Sequence, residues 1–305
     1  MSAAELDASF YGYILGVQSP LDCSLNGFEK DVLGELDRLL RSRSSRSSLV
    51  PRLPEVMPRV MRSLRDPDSS AADLAAEIGR DAVLVSEVIR LANSPYYRVG
   101  ERIDSLERAV FLLGRVGIRQ LVASAAFKPL VNLTSGHFTR LSGTLLWQQS
   151  EKSAIAADCL ARRENADRFS AYLAAIVQNV GFTVALQVLD DHFDASHAPH
   201  SEAFRTRFVT ASRRLATLIA TEWAFPVAVL DALEDQVQPG EVAALPPLSG
   251  ILYMADKLAK LYLLTRKGHY GEEAGGMACR LQGLLTDSCA HCYQALSRSD
   301  AVGDG

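Results

Sequence analysis

No uninterrupted apolar run in this sequence approaches the roughly 20 residues a membrane-spanning helix needs. The start, MSAAELDASFYGYILG, has neither the basic opening nor the apolar stretch of a secretory signal. Cysteine is scarce. The five present (Cys23, Cys159, Cys279, Cys289, Cys292) are odd in number and unevenly spread, which argues for free thiols in a reducing cytoplasm. Alternating strand patterns of useful length are missing too, which leaves an all-α chain. Serine nucleophile elbows, glycine-rich phosphate loops and EF-hand spacing are absent, and Gly114-Arg115-Val116-Gly117 is too short to cradle phosphate. A formal charge of −4 gives no overall attraction to nucleic acid or anionic lipid.

What is present is helix in quantity. The 305 residues, 48% hydrophobic and 22% charged, suffice for one large or two modest domains with a substantial core. Phe28, Val32, Leu33, Leu36 and Leu39 mark an amphipathic helix over about 26–40. Three short helices follow between Asp66 and Gly117. Ser70 is placed to cap the first, which ends at Gly79 with Leu74 and Ile78 on its inner face. Asp81 caps the second, and Asn93-Ser94-Pro95 stops it. Asp104 and Glu107 open the third, which runs to Gly114. Another helix begins after Gly117 and closes near Pro129. Long helices are expected over 141–166 and 168–189, then about 204–223, 227–237 and 248–265, and a last one around Met277–Leu285. The segment 190–199 reads as loop.

Charge is uneven. Arg38 to Arg65 holds eight arginines against one acid, +7 locally in a chain of −4, so −11 elsewhere. Residues 41–48, RSRSSRSS, are low in complexity and read as a flexible linker. Arg41, Arg43 and Arg46 are then either a solvated linker or a docking strip for an acidic partner. A nucleic-acid platform is disfavoured, because no aromatics interleave with them.

Within this frame a set of residues resembles the HDOD family, bacterial signalling-associated relatives of the metal-dependent HD phosphohydrolases. These are Leu53-Pro54, Asp66-Pro67-Asp68, Ile78, Asp81, Leu91-Ala92-Asn93-Ser94 with Tyr96-Tyr97, Ile103, Ser105-Leu106, Ala109 and Leu112-Leu113-Gly114. The resemblance spans about 49–264. It implies an N-terminal helical subdomain over about 49–145 and a degenerate HD-like bundle over 146–298. These would be preceded by an extension and linker (1–48) and followed by a loose tail (299–305). An active relative holds divalent metal through histidines and a His-Asp pair, and the metal lowers the pKa of an attacking water. Set against that pattern, this chain has Gln149 where the first histidine belongs and Gln178-Asn179 at the His-Asp pair. Ser212 (or Thr210) and Asp235-Gln236 fall near the further ligands, and only Asp256 keeps a ligand type. Amides are poor substitutes where a divalent charge needs compensation.

The resemblance therefore implies a non-enzymatic signalling or regulatory protein acting through protein–protein contacts, with no cofactor or metal, no membrane insertion, and self-association left open. Two alternatives remain: a sensor holding a nucleotide or other polar ligand among Gln149, Gln178, Asn179 and Asp256, and a residual phosphohydrolase. The same four residues also read as a satisfied buried network. The turn Leu91, Ala92, Asn93, Ser94, Tyr96 reads as structural, with a partner surface as alternative. Cys289, His291 and Cys292 with Cys279 match no standard zinc spacing. His192, His197 and His200 among Asp190, Asp191 and Asp194 read as an ordinary exposed connection, with a metal as the sharper alternative.

Overall fold

The computed structural model describes residues 2–17, 20–46, 48–58, 60–61, 71–98, 100, 102–133, 135–193, 198–271 and 287–298. Among these the fold is all helical; the only extended pairing is an isolated parallel bridge between Leu21 and Ser201. Ser70, Cys279, His197, the 277–285 segment, the 299–305 tail and the side chain of Leu74 lie outside the described residues.

The chain opens with α1 (Ala3–Leu15), in a stretch for which no helix was expected. Ser2 and Glu5 close a reciprocal capping box at its start, and Gly16 ends it. Next come α2 (Gly27–Arg41), capped by Asn26 and Glu29 in the same way, and a single helical turn, α3 (Arg43–Arg46). The N-terminal subdomain contributes α4 (Ala71–Ile78), α5 (Ala82–Ala92) and α6 (Leu106–Val131). Asp81 accepts from the Val83 and Leu84 amides, as expected of a cap. The third cap is Ser105, one residue after Asp104, accepting from the Arg108 amide. At Gly114 α6 bends sharply (φ 62°, ψ −172°), a conformation that suits glycine and joins what read as two helices.

The larger half holds α7 (His137–Arg163), α8 (Arg168–Val177), α9 (Val180–His192), α10 (Glu202–Glu222), α11 (Val227–Glu234), α12 (Pro247–Arg266) and α13 (Asp287–Arg298). Residue 145, the last assigned to the N-terminal subdomain, lies inside α7. α7 is the central strut: α8, α9, α12 and α13 all pack on it, and α1 covers its junction with α12. Buried apolar residues from Ala3 to Leu296 form one continuous core. Among the described residues two helical stretches, Leu106–Val131 and Arg168–His192, are long and apolar enough to cross a bilayer, but the apolar part of each lies mostly inside this core.

The helix expected to run unbroken over 168–189 divides at Gln178-Asn179, where α8 ends and α9 starts. Just beyond, Gly181 crosses α10 so closely that a Cβ would meet the Ser212 carbonyl oxygen at 2.0 Å. That crossing places the Gln178-Asn179 corner against α7 and α10, and so builds the site.

Candidate functional site

Gln149 on α7, the Gln178-Asn179 corner and Asp256 on α12 converge. Gln149 Nε2 donates to Asp256 Oδ1 at 2.6 Å, and its Oε1 accepts from Asn179 Nδ2. Asn179 also donates to Ser150 Oγ (3.0 Å) and the Leu146 carbonyl (3.2 Å). Gln178 turns toward Ser153 Oγ at 2.9 Å. Each amide thus has partners in the protein, as buried polar groups require. Among the further positions, Ser212 Oγ donates to the Phe208 carbonyl, Thr210 Oγ1 to the Thr206 carbonyl, and Gln236 to the Ala232 and Ser249 carbonyls. Asp235 accepts from Ser249 Oγ at 2.6 Å.

The second oxygen of Asp256 faces cations. Lys260 Nζ lies 2.8 Å and Lys257 Nζ 3.1 Å from Oδ2, both lysines being buried. A second carboxylate enters from α1. Asp7 Oδ1 accepts from Lys257 at 2.6 Å and Lys260 at 2.9 Å, while its Oδ2 lies 3.2 Å from Arg213 Nη2 of α10. Tyr11, one turn along α1, accepts from Lys260 Nζ at 2.9 Å and stacks on Phe182 (centroids 5.1 Å apart, planes at 6°). Only a cavity of about 20 Å³ remains, between Tyr11, Gln178, Asn179, Arg213, Gln236 and Asp256. That is about the room of one water molecule.

Burial opposes ionisation of Asp7 and Asp256, but the adjacent Lys260 and Lys257 prevail and hold both carboxyls below the usual aspartate value. Lys260 is pushed up, its two carboxylate neighbours outweighing desolvation. Burial, helped by Lys260, pushes Lys257 down. Among the described residues no three His, Cys, Asp or Glu side chains are grouped to hold a metal.

Sequence reasoning found the amides and Asp256 but missed Asp7, Tyr11, Arg213 and Lys260. A signal existed for the lysine: Lys260 stands four residues after Asp256 inside the apolar run LAKLYLL, where an exposed helix face would not put it. Ser2 and Glu5, at capping-box spacing, announced α1.

The signature turn is a tie between helices. Asn93 Nδ2 donates to the Ile89 and Ile103 carbonyls, and its Oδ1 accepts from the Ile103 amide at 2.9 Å. Leu91 and Ala92 are buried, and Ser94 accepts through its carbonyl from the Tyr97 and Arg98 amides. Tyr96 OH reaches Asp158 Oδ2 on α7 at 2.8 Å. Asp158, unremarked in the sequence, also accepts from Gln120 (2.6 Å) and from Arg168 through two bonds of 2.9 Å.

The arginine strip needs correction. Residues 43–46 form α3 instead of a structureless linker, and Arg46 is buried. Its Nη1 donates to the Leu39 and Leu40 carbonyls, orphaned at the end of α2, and its Nη2 pairs with Glu222 at 2.7 Å. Arg41 and Arg43 stay exposed. Asp190, read as part of a loop, lies in α9 and accepts from the Phe138 and Thr139 amides that start α7. His200 stands beside Asn26 and Glu29, and His192 beside the Val188 carbonyl. Cys159 and Cys292 contact each other as free thiols between α7 and α13. His291 is exposed.

Comparison with known proteins agrees with this fold. An HDOD domain protein of unknown function from Geobacter sulfurreducens superposes with a TM-score of 0.61 at 19% identity, covering 89% of this chain and 98% of its own. A protein of Shewanella amazonensis SB2B, named as a candidate metal-dependent phosphohydrolase, gives 0.61 at 21%, over 90% and 99%. One from Marinobacter aquaeolei VT8, named as a candidate signal transduction protein, gives 0.61 at 21%, over 91% of this chain and 66% of its own. At such identities the likeness is one of fold. An uncharacterized protein of Treponema pallidum (strain Nichols) is 24% identical over 156 residues, half of this chain and 29% of that relative's length. The HDOD domain family itself matches residues 50–239, and the chain belongs to that family.

Proposed function

We propose that this chain is a regulatory protein of bacterial signalling that performs no catalysis, resides in the cytoplasm and acts by contacting other proteins. One observation supports the reading above the rest. Asp256, which keeps the ligand type expected at its position, accepts from an amide and two ammonium groups, and three cations face two carboxylates there. A divalent ion entering this site would meet net positive charge and amide donors, the reverse of what a catalytic metal requires.

The test is metal content together with turnover. The full chain is equilibrated with Mn²⁺ or Zn²⁺, desalted and analysed for bound metal, and then assayed on bis-p-nitrophenyl phosphate. Substoichiometric metal and no cleavage above buffer are expected. One metal per chain, with cleavage lost in Asp256→Ala, would overturn the proposal.

A further inference from the structure

The cation cluster at the α1–α10–α12 junction carries more than its own structural support requires. Counted with both lysines as ammonium groups, Lys257, Lys260 and Arg213 outnumber Asp7 and Asp256 by one charge, an excess that is costly in a buried region and that burial opposes by pushing Lys257 down. Asp7 comes from the far end of the sequence, 250 residues before Lys257, and its carboxylate receives all three cations. Its side chain is also the outermost of the group. It is 24% exposed, against 3% for Lys257 and 1% for Lys260, so whatever approaches from solvent meets Asp7 first.

We propose that this junction is a binding site for the phosphate group of a small molecule, and that Asp7 occupies it as a tethered substitute for that group. With Asp7 withdrawn, the three cations and Asp256 sum to +2. A phosphate monoester carries about −1.5 to −2 near neutral pH and would balance that excess, whereas another carboxylate would only repeat Asp7. The donors suit it: a guanidinium fork on one side and two ammonium groups as point charges on the other. Phosphate and Asp7 exclude each other, because both would accept from Lys257, Lys260 and Arg213 at the same place.

The exchange requires little of the fold to move. Before Asp7, α1 buries only Ala3 and Leu6; Phe10, Tyr11, Ile14 and Leu15 anchor the remainder. Unwinding residues 3–7 frees Asp7 and leaves the anchored turns in place. The capping box at Ser2 and Glu5 holds the closed form. A bound phosphate would thus be reported outward as release of the N-terminal turn, a change of surface that a partner protein can read. The inference rests on the site holding no metal, which bound-metal content decides separately.

The test uses inorganic phosphate on the full chain, titrated against chloride at constant ionic strength and followed by calorimetry. Wild type, Asp7→Asn and Asp7→Glu are compared, with acetate as the carboxylate arm. Asp7→Asn should bind phosphate about tenfold or more tightly than wild type, since the tethered competitor is gone. Asp7→Glu should resemble wild type, acetate should bind Asp7→Asn more weakly than phosphate does, and Arg213→Gln in the Asp7→Asn background should remove the gain. A folded Asp7→Asn protein that binds phosphate no better than wild type overturns the proposal. Should that variant not fold, hydrogen exchange on the wild type decides. Saturating phosphate should accelerate exchange in the first turns of α1 and spare α10 and α12; an unchanged pattern overturns the proposal equally.

Discussion

Asp158 and Asp256 are both buried, both on long core helices, and both accept three or more side-chain hydrogen bonds. Their surroundings differ in charge. Asp158 meets one guanidinium and two neutral donors, Tyr96 and Gln120, so its network closes at zero and joins the signature turn, α6 and α8 to α7. Asp256 meets two ammonium groups, and the cluster needs a second carboxylate from α1 yet stays one charge positive. The first arrangement is what a structural tie looks like. The second resembles a site, where charge has been gathered beyond what holding helices together requires.

Removing each carboxylate separates the two cases. Asp256→Ala leaves Lys257 and Lys260 buried with Asp7 alone, so a loss of about 3–5 kcal/mol is expected by denaturant titration. Asp158→Ala should cost less, about 2–3 kcal/mol, because Arg168 is 37% exposed and can turn to water. If Asp158→Ala proves the costlier, the contrast between tie and site is wrong. Hydrogen exchange sharpens it further: Asp158→Ala should loosen the Tyr96 turn and leave α1 protected, with Asp256→Ala doing the opposite.

Acid acts on the same contrast. Asp7 and Asp256 have pKa values lowered from 3.8 in the fold, Glu29 is lowered from 4.5, and Glu87 is lowered from 4.5 to about 2 by Arg90 and Lys128. A carboxyl more acidic when folded stabilises above its unfolded pKa, and that contribution is lost as pH falls through the folded value. Stability should therefore hold near neutrality, begin to fall at about pH 4.5 and keep falling toward about pH 2. Thermal unfolding of Asp7→Asn over that window should show a shallower decline than wild type, since one of the contributing groups is gone. Equal slopes would mean that Asp7 does not feel its three cations.

How much of this was legible follows from what each signal depends on. A helix cap such as Asp81 acts within three residues, so spacing showed it. The placement of Gln149, Asn179 and Asp256 together came through resemblance, because the three are far apart in sequence. Asp7 could not be paired with Lys257 by any local rule: charge balance in a buried cluster is a tertiary property. The Gln178-Asn179 break hid for a related reason. α8 and α9 are largely apolar on both sides of the break, and nothing in their periodicity marks the corner that Gly181 and α10 impose. Arg46 was misread because low complexity suggested solvent, whereas the free carbonyls of α2 and the Glu222 carboxylate offered it partners.

That last residue gives the smallest expected effect and the cleanest use of the arginine strip. Arg46→Ala removes donors to two helix-end carbonyls and a buried partner of Glu222, so a loss of about 1–3 kcal/mol is expected. Arg41→Ala/Arg43→Ala should leave the melting temperature unchanged, because both side chains are exposed and Arg43 stands 3.9 Å from Glu222, too far to contribute a hydrogen bond. A triple replacement would therefore mix destabilisation with any loss of docking. With Arg46 retained, a binding partner recovered by wild type and lost by the Arg41/Arg43 variant reports contact through these two arginines. If the same partner survives that variant, docking lies elsewhere, and the positive strip is reduced to the one arginine that the fold uses.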